Sequence, residues 1–209
     1  MVDLVSRRLP KSYGYDPLRD IQVITPAKQG PLGTRELNRL LQGKLNPPER
    51  GKGEATLMGR TLREGDKVMQ IRNNYDIIWQ QPDGTAGTGI FNGDMGIIEM
   101  LDPGSKTIQV RFEEKLATYS FENQDQLEHA YAVTVHKSQG SEFEAVVMPL
   151  ERRHPKLHYR NLLYTAVTRA RKLLIMTGQK ETVYAMVQNN RRTLRYTNQK
   201  EMLQEMCDE

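Results

Sequence analysis

Polar residues that could contact phosphate follow an apolar stretch in the second half of the chain. Residues 131–135 are almost entirely apolar, and an imidazole, a lysine, a hydroxyl and an amide follow at residues 136–139, just before Gly140. Where a buried parallel strand ends, such side chains are placed to contact phosphate groups in the crevice at that edge of the sheet. The same spacing also fits a polar loop that caps a short helix, with Ser138 as the cap and Gly140 as a turn residue.

Two arginines, Arg169 and Arg171, end a second segment of interest. Residues 158–171 predict a helix whose apolar stripe is formed by Leu163, Ala166, Val167 and Ala170. At ~100° per residue the two arginines would lie roughly 200° apart, so they cannot face the same ligand. An arginine on the flank of a buried stripe can reach across a domain interface and stabilise a transferring phosphoryl group. The alternative is a surface ion pair, the usual state of an isolated helical arginine.

The chain has no phosphate-binding loop of the Walker type. That loop follows the pattern G-x-x-x-x-G-K-[ST], in which backbone amides cradle phosphates and a lysine reaches the terminal ones. Residues 51–54 (GKGE) offer a glycine and a lysine, but they lack the hydroxyl residue and a preceding strand. We therefore expect that the chain alone does not hydrolyse ATP.

The elements that must position these residues fall into three regions, of which the first is residues 1–60. An apolar strand is predicted at residues 21–24, and a helix follows with Thr34 as its N-cap and Gly43 among its stop signals. The helix has one apolar face, formed by Leu37, Leu40 and Leu41. Residues 44–59 are polar and rich in glycine and proline, which predicts a connector.

The second region, residues 61–128, changes to short strand-like segments. They are predicted at residues 68–71, 95–100, 108–112 and 117–121. Turn pairs such as Asn92-Gly93 and Pro103-Gly104 separate them. Short strands joined by tight turns favour a small antiparallel barrel, and residues 80–89 are predicted to be a mobile hairpin tip.

The third region, residues 129–209, returns to alternating strands and helices. Continuous apolar strands of the parallel-sheet kind are predicted at residues 131–135, 145–150 and 173–177, with further helices at residues 182–189 and 199–206. The first and third regions are α/β and the second is all-β. The pattern therefore predicts one α/β domain that is interrupted by an inserted barrel.

Composition narrows the class of protein only partly. The net charge is +4 and the sequence pI is about 9.1, which fits a phosphate-rich partner and equally fits a merely basic surface. The single cysteine, Cys207, suits a reducing compartment. No apolar run approaches the ~20 residues that span a bilayer, and the N-terminus has no signal-peptide stretch, so we expect a cytoplasmic protein without a membrane partner.

Three segments resemble motifs of superfamily 1 helicases. Residues 134–143 (TVHKSQGSEF) resemble motif V, and residues 164–171 (YTAVTRAR) resemble motif VI. Residues 24–33 (ITPAKQGPLG) resemble motif IV of the RecD-like branch, the exodeoxyribonuclease V alpha-subunit type. The order matches that of the family over roughly residues 2–180. The resemblance implies a RecA-like parallel-sheet motor domain of the P-loop NTPase type, called 2A, which lacks the P-loop and carries an inserted Src-homology-3-like barrel, called 2B.

The resemblance also implies nucleotide contacts. Arg169 resembles the arginine finger, and Lys28 resembles the motif IV cation near the γ-phosphate, although the family more often has arginine there. Gly140 and Glu142 resemble motif V positions beside the nucleotide, with Glu142 near the ribose. In the intact enzyme, ATP and Mg²⁺ would be held mainly by a first, N-terminal motor domain of the same protein, and Arg169 would complete that site.

DNA contacts are implied at three more positions. Thr134 and His136 resemble residues that touch the DNA backbone, and Gln139 is a weaker member of that set, whereas no role follows for Lys137 or Arg171. The implied activity is ATP-driven translocation on single-stranded DNA, with 5′-to-3′ polarity taken from the branch alone. Two alternatives remain open: a non-enzymatic module that binds nucleic acid or protein, and the helicase half of a conjugative relaxase.

Other conspicuous residues receive ordinary interpretations. Tyr75 and Trp79 could stack on bases, but such aromatics more often pack at the edge of a barrel. His154 and His158 lack carboxylate or cysteine partners nearby, so no metal site is assigned. A solvated basic face is predicted for Arg191, Arg192 and Arg195.

Overall fold

The computed structural model describes residues 1–151 and 157–190, which form two sheets, a separate hairpin and four α-helices. The helices are α1 Leu9–Tyr13, which continues a π-helical turn at Leu4–Arg8, α2 Thr34–Leu45, α3 Arg160–Val167 and α4 Lys180–Gln188. The strands are β1 Ile21–Thr25, β2 Glu54–Leu57, β3 Arg60–Arg63, β4 Lys67–Gln70, β5 Asn74–Gln80, β6 Ala86–Ile90, β7 Met95–Asp102, β8 Thr107–Phe112, β9 Lys115–Ser120, β10 Leu127–His129, β11 Ala132–Thr134, β12 Phe143–Leu150 and β13 Ala170–Gly178.

A four-stranded parallel sheet lies between two layers of helices. Its strand order is β11-β1-β12-β13, and every pair is parallel. One apolar cluster joins the sheet to the side of α1 and α2, and another joins it to the side of α3 and α4. All five residues of β1 are buried, as expected for a strand covered on both faces. The predicted α/β fold is confirmed.

A seven-stranded antiparallel sheet has a core of its own. Its order is β10-β4-β7-β8-β9-β5-β6, and its cluster contains Val68, Ile98, Ile108, Val110 and Tyr119 among others. The four strands predicted in this region are all present, and the small all-β unit lies between β3 and β11 along the chain. The exact limits, residues 61–128, stay a prediction.

Several local predictions in the first two regions need correction. Helix α2 has Gly33 rather than Thr34 as its N-cap, because Gly33 keeps extended backbone angles (φ −78°, ψ 156°) and Thr34 is already the first helical residue. The helix passes through Gly43, and Leu40 on its face is exposed. The predicted connector contains β2, which pairs with β3, and the predicted hairpin tip contains most of β6. The sequence did not predict these strands because their residues are polar or glycine-rich and show no apolar alternation. Pairing with neighbouring strands stabilises them instead.

The helix predicted at residues 158–171 is also shorter than expected. Helix α3 ends at Val167, with Thr168 as its C-cap, and β13 begins at Ala170. The amide of Phe143 donates to the carbonyl oxygen of Arg169 at 2.8 Å, which extends the β12–β13 pairing to the end of the helix. The helix predicted at 182–189 is confirmed as α4. The helix predicted at 199–206, together with His154, the three arginines from residue 191 onward and Cys207, lies outside the described residues.

A buried carboxylate joins the two connections of the antiparallel sheet to helix α2. Asp66, which is fully buried, accepts hydrogen bonds from Gln42 and Asn46 of α2 at 2.7 and 2.6 Å. It also accepts from the Tyr131 hydroxyl at 2.8 Å and the Arg63 amide at 2.9 Å, and His129 Nε2 lies at 3.1 Å. Because a buried carboxylate must be paired or fully hydrogen-bonded, this cluster fixes the barrel-like unit against the parallel sheet. Within the described residues, no helix has the length and apolar character to cross a membrane.

Candidate nucleic-acid groove and nucleotide face

A groove of about 920 Å³ opens between helix α2 and the β2–β3 hairpin. Helix α2 contributes Arg35 and Arg39, and the hairpin contributes Met58 and Arg60. The loop after β1, the end of β11 and strand β10 also line it. The groove therefore lies where the carboxyl ends of β1 and β11 meet the antiparallel sheet.

Positive side chains outnumber negative ones in this groove. Five lysines and arginines and three carboxylates line it: Lys28, Arg35, Arg39, Arg60 and Lys137, against Glu36, Asp125 and Glu128. Glu36 pairs with Arg39, and Glu128 pairs with Lys137. A cationic groove open to solvent suits a polyanion such as DNA, whose phosphates can replace these carboxylates as partners of the cations.

The structure brings one of the three predicted DNA contacts into the groove. Thr134, at the end of β11, is buried and lines the groove, and its hydroxyl accepts a hydrogen bond from the Lys137 amide at 3.3 Å. His136 and Gln139 are exposed on the following loop, residues 135–142, and do not line the groove. The buried Ser138 donates to the Val135 carbonyl oxygen at 2.8 Å, so it braces this loop from within.

Arg169 lies in the turn between α3 and β13, not on a helix as predicted. Its half-buried guanidinium donates to the carbonyl oxygens of Thr165 at 3.2 Å and Ser141 at 3.0 Å. A third contact joins it to the Thr168 hydroxyl at 3.3 Å. These neutral acceptors orient the side chain, and no carboxylate among the described residues compensates its positive charge, which suits a role toward an anionic ligand.

Arg171 occupies strand β13, so the argument from a helical angle fails for both arginines. Its exposed guanidinium lies 3.0 Å from the Glu142 carboxylate and 4.0 Å from Glu144. Gly140, in the same loop as Glu142, has a φ of +87°, a left-handed conformation that glycine adopts without strain. Gly140, Glu142 and Arg169 are therefore on neighbouring segments, whereas Arg171 already has carboxylate partners.

The structure does not bring Lys28 together with Arg169. Lys28 follows the carboxyl end of β1, whereas Arg169 precedes the amino end of β13. Since β1, β12 and β13 are parallel and β12 has eight residues, these two ends are ~20 Å apart along the strands. The expectation that both cations approach one γ-phosphate does not fit this placement, and Lys28 instead lines the groove with Thr134.

Several groove residues were not found from the sequence. Arg60 and Glu128 carry no local motif, and they reach the groove only because the β2–β3 hairpin and strand β10 fold against α2. Of the two aromatics singled out, Trp79 is half-buried with Lys115 Nζ 4.8 Å above its ring, whereas Tyr75 is exposed and packs edge-on against Phe91. Across the described part of the chain, no cluster of His, Cys, Asp or Glu could hold a metal ion.

Two family models match the chain. Residues 37–112 match the SH3 domain of ATP-dependent RecD-like DNA helicases, and residues 129–177 match the C-terminal domain of UvrD-like helicases. The first match covers α2 to β8, so the predicted Src-homology-3-like insertion is confirmed. The second covers the 135–142 loop, α3 and most of β13.

The named relatives include a DNA helicase and a subunit of the RecBCD enzyme. The ATP-dependent RecD2 DNA helicase of Deinococcus radiodurans is 35% identical over 158 residues, which is 76% of this chain and 20% of that protein. The RecBCD enzyme subunit RecD of Buchnera aphidicola subsp. Schizaphis graminum is 26% identical over 172 residues, 81% of this chain and 26% of that one. The chain thus spans about a fifth to a quarter of the length of these relatives.

A solved structure shares the fold. Pif1 helicase from Bacteroides, in complex with ADP-AlF3 and ssDNA, superposes with a TM-score of 0.52 at 15% identity, over 100% of this chain and 50% of that one. The fold, the two family matches and the RecD2 and RecD relatives agree with the motif order along the chain. The chain therefore carries an SH3 domain of the RecD-like DNA helicase type and a C-terminal domain of the UvrD-like helicase type, and it is a relative of RecD2 and RecD.

Proposed function

We propose that this chain is the second motor half of an ATP-driven DNA helicase that moves along single-stranded DNA. The groove between α2 and the β2–β3 hairpin holds the DNA strand, and the segment around Arg169 faces a nucleotide bound by a first motor domain of the same protein. The proposal is supported by the RecD2 relative, which is an ATP-dependent DNA helicase.

One observation carries the proposal: a single loop connects the two surfaces. The 135–142 loop begins after Thr134 in the groove and ends at Ser141 and Glu142, where the Ser141 carbonyl oxygen accepts a hydrogen bond from Arg169. A shift of Arg169 toward a nucleotide would therefore pull on the segment that carries the DNA contacts. Such a connection is what a motor needs to convert closure around ATP into a change of grip on DNA.

The DNA contacts are phosphate contacts. Lys28, Thr134 and Lys137 line the groove, and His136 and Gln139 extend from the adjoining loop. Cations and hydroxyls read no base sequence, so binding is nearly independent of sequence and weakens as salt rises. The 5′-to-3′ direction is part of the proposal and rests on the resemblance to the RecD-like branch.

The nucleotide contacts from this chain complete a site but do not form one. Arg169 stabilises charge on the transferring phosphoryl group, and Gly140 and Glu142 lie beside the nucleotide. ATP and Mg²⁺ are held mainly by the Walker loop of the first motor domain, and no segment of this sequence has that pattern. The isolated chain is therefore inactive as an ATPase.

Two measurements on the 209-residue chain test the proposal. Titration with oligo(dT) and with mixed-sequence strands at several salt concentrations should show weak binding at low salt, little sequence preference and a steep loss of affinity as salt rises. Phosphate release should stay at background with or without DNA. Salt-independent binding, or tight binding to one sequence, would favour a non-enzymatic binding module. Turnover that a substitution within this chain abolishes would contradict the division of the ATP site.

A further inference from the structure

A carboxylate occupies the part of the groove where the cations converge. Glu128, on strand β10, lines the groove, and its Oε2 accepts a hydrogen bond from Lys137 Nζ at 2.6 Å. The pair is half-buried, with 43% of the Glu128 side chain and 26% of the Lys137 side chain exposed. It links the antiparallel sheet to the 135–142 loop of the parallel-sheet domain.

Two more cations act on the same carboxylate from different elements. Burial tends to raise the pKa of Glu128, but the hydrogen bond with Lys137 and the charges of Lys137, Arg60 and Lys28 outweigh it and hold the pKa below its usual value. Arg60 is anchored next to Glu128, because its guanidinium donates to the Leu127 carbonyl oxygen at 2.9 Å. The three cations come from the loop after β1, from β3 and from the loop after β11.

We infer that the three cations form a phosphate-binding position for DNA and that Glu128 is its internal competitor. A carboxylate and a phosphate diester each carry one negative charge and offer oxygen acceptors to the same donors. A backbone phosphate entering the groove therefore displaces Glu128 from Lys137. This inference rests on the proposed function of the groove as the DNA-binding surface.

The competitor weakens the grip on DNA, which suits a protein that must release and rebind the strand at each step. While the Lys137–Glu128 pair is formed, a phosphate that binds Lys137 contributes less binding free energy, because Lys137 only exchanges one charged acceptor for another. Displacement also breaks the ion pair between strand β10 and the 135–142 loop. The Lys137–Glu128 pair thus joins strand β10 to the 135–142 loop only while no phosphate occupies the binding position.

The test compares two charge-matched substitutions in the groove. Glu128→Gln removes the competitor, whereas Asp125→Asn removes an equal charge from the groove lining without freeing a groove cation, since Asp125 pairs with Arg72 outside it. Affinity for oligo(dT) is measured at one moderate salt concentration by fluorescence anisotropy. Melting curves followed by circular dichroism establish that each variant is folded.

We expect Glu128→Gln to tighten binding by about tenfold, the scale of one charge-assisted contact, and Asp125→Asn to tighten it by roughly threefold or less. In a Lys137→Met background the gain from Glu128→Gln should fall to that of the charge-matched control, roughly threefold or less. Equal gains from the two single substitutions, or a tenfold gain that survives Lys137→Met, would overturn the inference and leave the groove as a DNA site. If neither the unaltered chain nor any folded variant binds DNA, the proposed function of the groove itself fails.

Discussion

At the scale of single residues, the two arginines that follow α3 differ in the charge of their partners. Arg169 is held by two carbonyl oxygens and a hydroxyl, so its position is defined while its charge remains available. Arg171 lies 3.0 Å from the Glu142 carboxylate, and an exposed ion pair of this kind contributes little to stability. Its charge is already paired with a carboxylate and is less available to a ligand. The sequence analysis distinguished the two arginines by their angle on a predicted helix. In the structure they differ instead in their acceptors, which are neutral for Arg169 and a carboxylate for Arg171.

Arg169→Ala, made in the intact helicase that contains this chain, should lower ATP hydrolysis by ~10³-fold or more, the scale of an arginine finger. ATP binding and the melting temperature should change little, because the lost contacts are to carbonyl groups near the surface. Arg171→Ala is the control, since it removes a neighbouring arginine with carboxylate partners, and it should cost much less activity. Near-normal turnover by folded Arg169→Ala, or an equal loss from Arg171→Ala, would show that Arg169 is not the finger.

At the scale of elements, strand β4 is part of both hydrophobic cores. Val68 packs inside the antiparallel sheet, whereas Met69 enters the cluster between the parallel sheet, α3 and α4. Lys67, at the start of the strand, is buried with its Nζ 3.5 Å from the Ile21 carbonyl oxygen and 5.9 Å from the centre of the Phe143 ring. Two residues of this short strand therefore contact the parallel-sheet domain: Met69 through apolar packing and Lys67 through its buried amine.

The buried amine gives a prediction about pH. Burial lowers the pKa of Lys67 to about 8 against the opposing charges of Asp16 and Asp20. Between pH 8 and 10.5 the unfolded chain therefore binds one proton more than the folded chain at this site. The free energy of unfolding should rise with pH there, by ~1.4 kcal/mol per pH unit from this group. Lys67→Met should abolish that rise and stabilise the protein at pH 7 by up to ~3 kcal/mol.

Urea unfolding of both forms from about pH 7 to 9.5 would measure this effect. Burial raises the pKa of Tyr119 and of Tyr131, so these tyrosines affect stability only toward the usual tyrosine pKa of ~10. Lys115→Met, which changes a more exposed lysine of the same sheet, serves as the control and should leave the slope unchanged. An identical slope in unaltered protein and Lys67→Met would contradict a depressed pKa at Lys67.

The elements also show what the sequence could and could not predict. Strands β1 and β12 were found because continuous apolar runs identify strands that are buried on both faces. The interior of β13 was found from a similar apolar run, although this edge strand is only partly buried. The start of β13 was missed because Arg169 and Arg171 continue a helical pattern, and only pairing with β12 ends the helix. Thr134 was predicted one residue before the strand end at Val135, and β11 ends at Thr134 itself. Arg60 and Glu128 reach the groove through contacts between distant segments, which no local spacing reveals.

At the scale of the whole molecule, the buried Asp66 cluster connects the two sheets. Asp66 lies at the entrance to the antiparallel sheet, and two of its partners, His129 and Tyr131, lie at the exit. Gln42 and Asn46 of α2 complete the cluster, and α2 also forms one wall of the groove. The width of the groove therefore depends on this cluster, because it fixes the antiparallel sheet relative to the helix that faces the β2–β3 hairpin.

If the cluster makes the two sheets one cooperative unit, both should unfold together. Trp79 is the only tryptophan and lies in the antiparallel sheet, whereas the four α-helices pack on the parallel sheet. Tryptophan fluorescence and circular dichroism at the helical band thus report on different parts of the molecule. Their denaturation curves should coincide in the unaltered chain.

Asp66→Ala should separate the two curves and lower the free energy of unfolding by ~3–5 kcal/mol, because it leaves several buried donors without an acceptor. Oligo(dT) binding should weaken as well, since the walls of the groove are no longer held at a fixed distance. Asp76→Ala, at an exposed position of the antiparallel sheet, is the control and should change neither property. Coincident curves and a loss below ~1 kcal/mol in Asp66→Ala would mean that packing through Met69, rather than the carboxylate cluster, joins the two sheets.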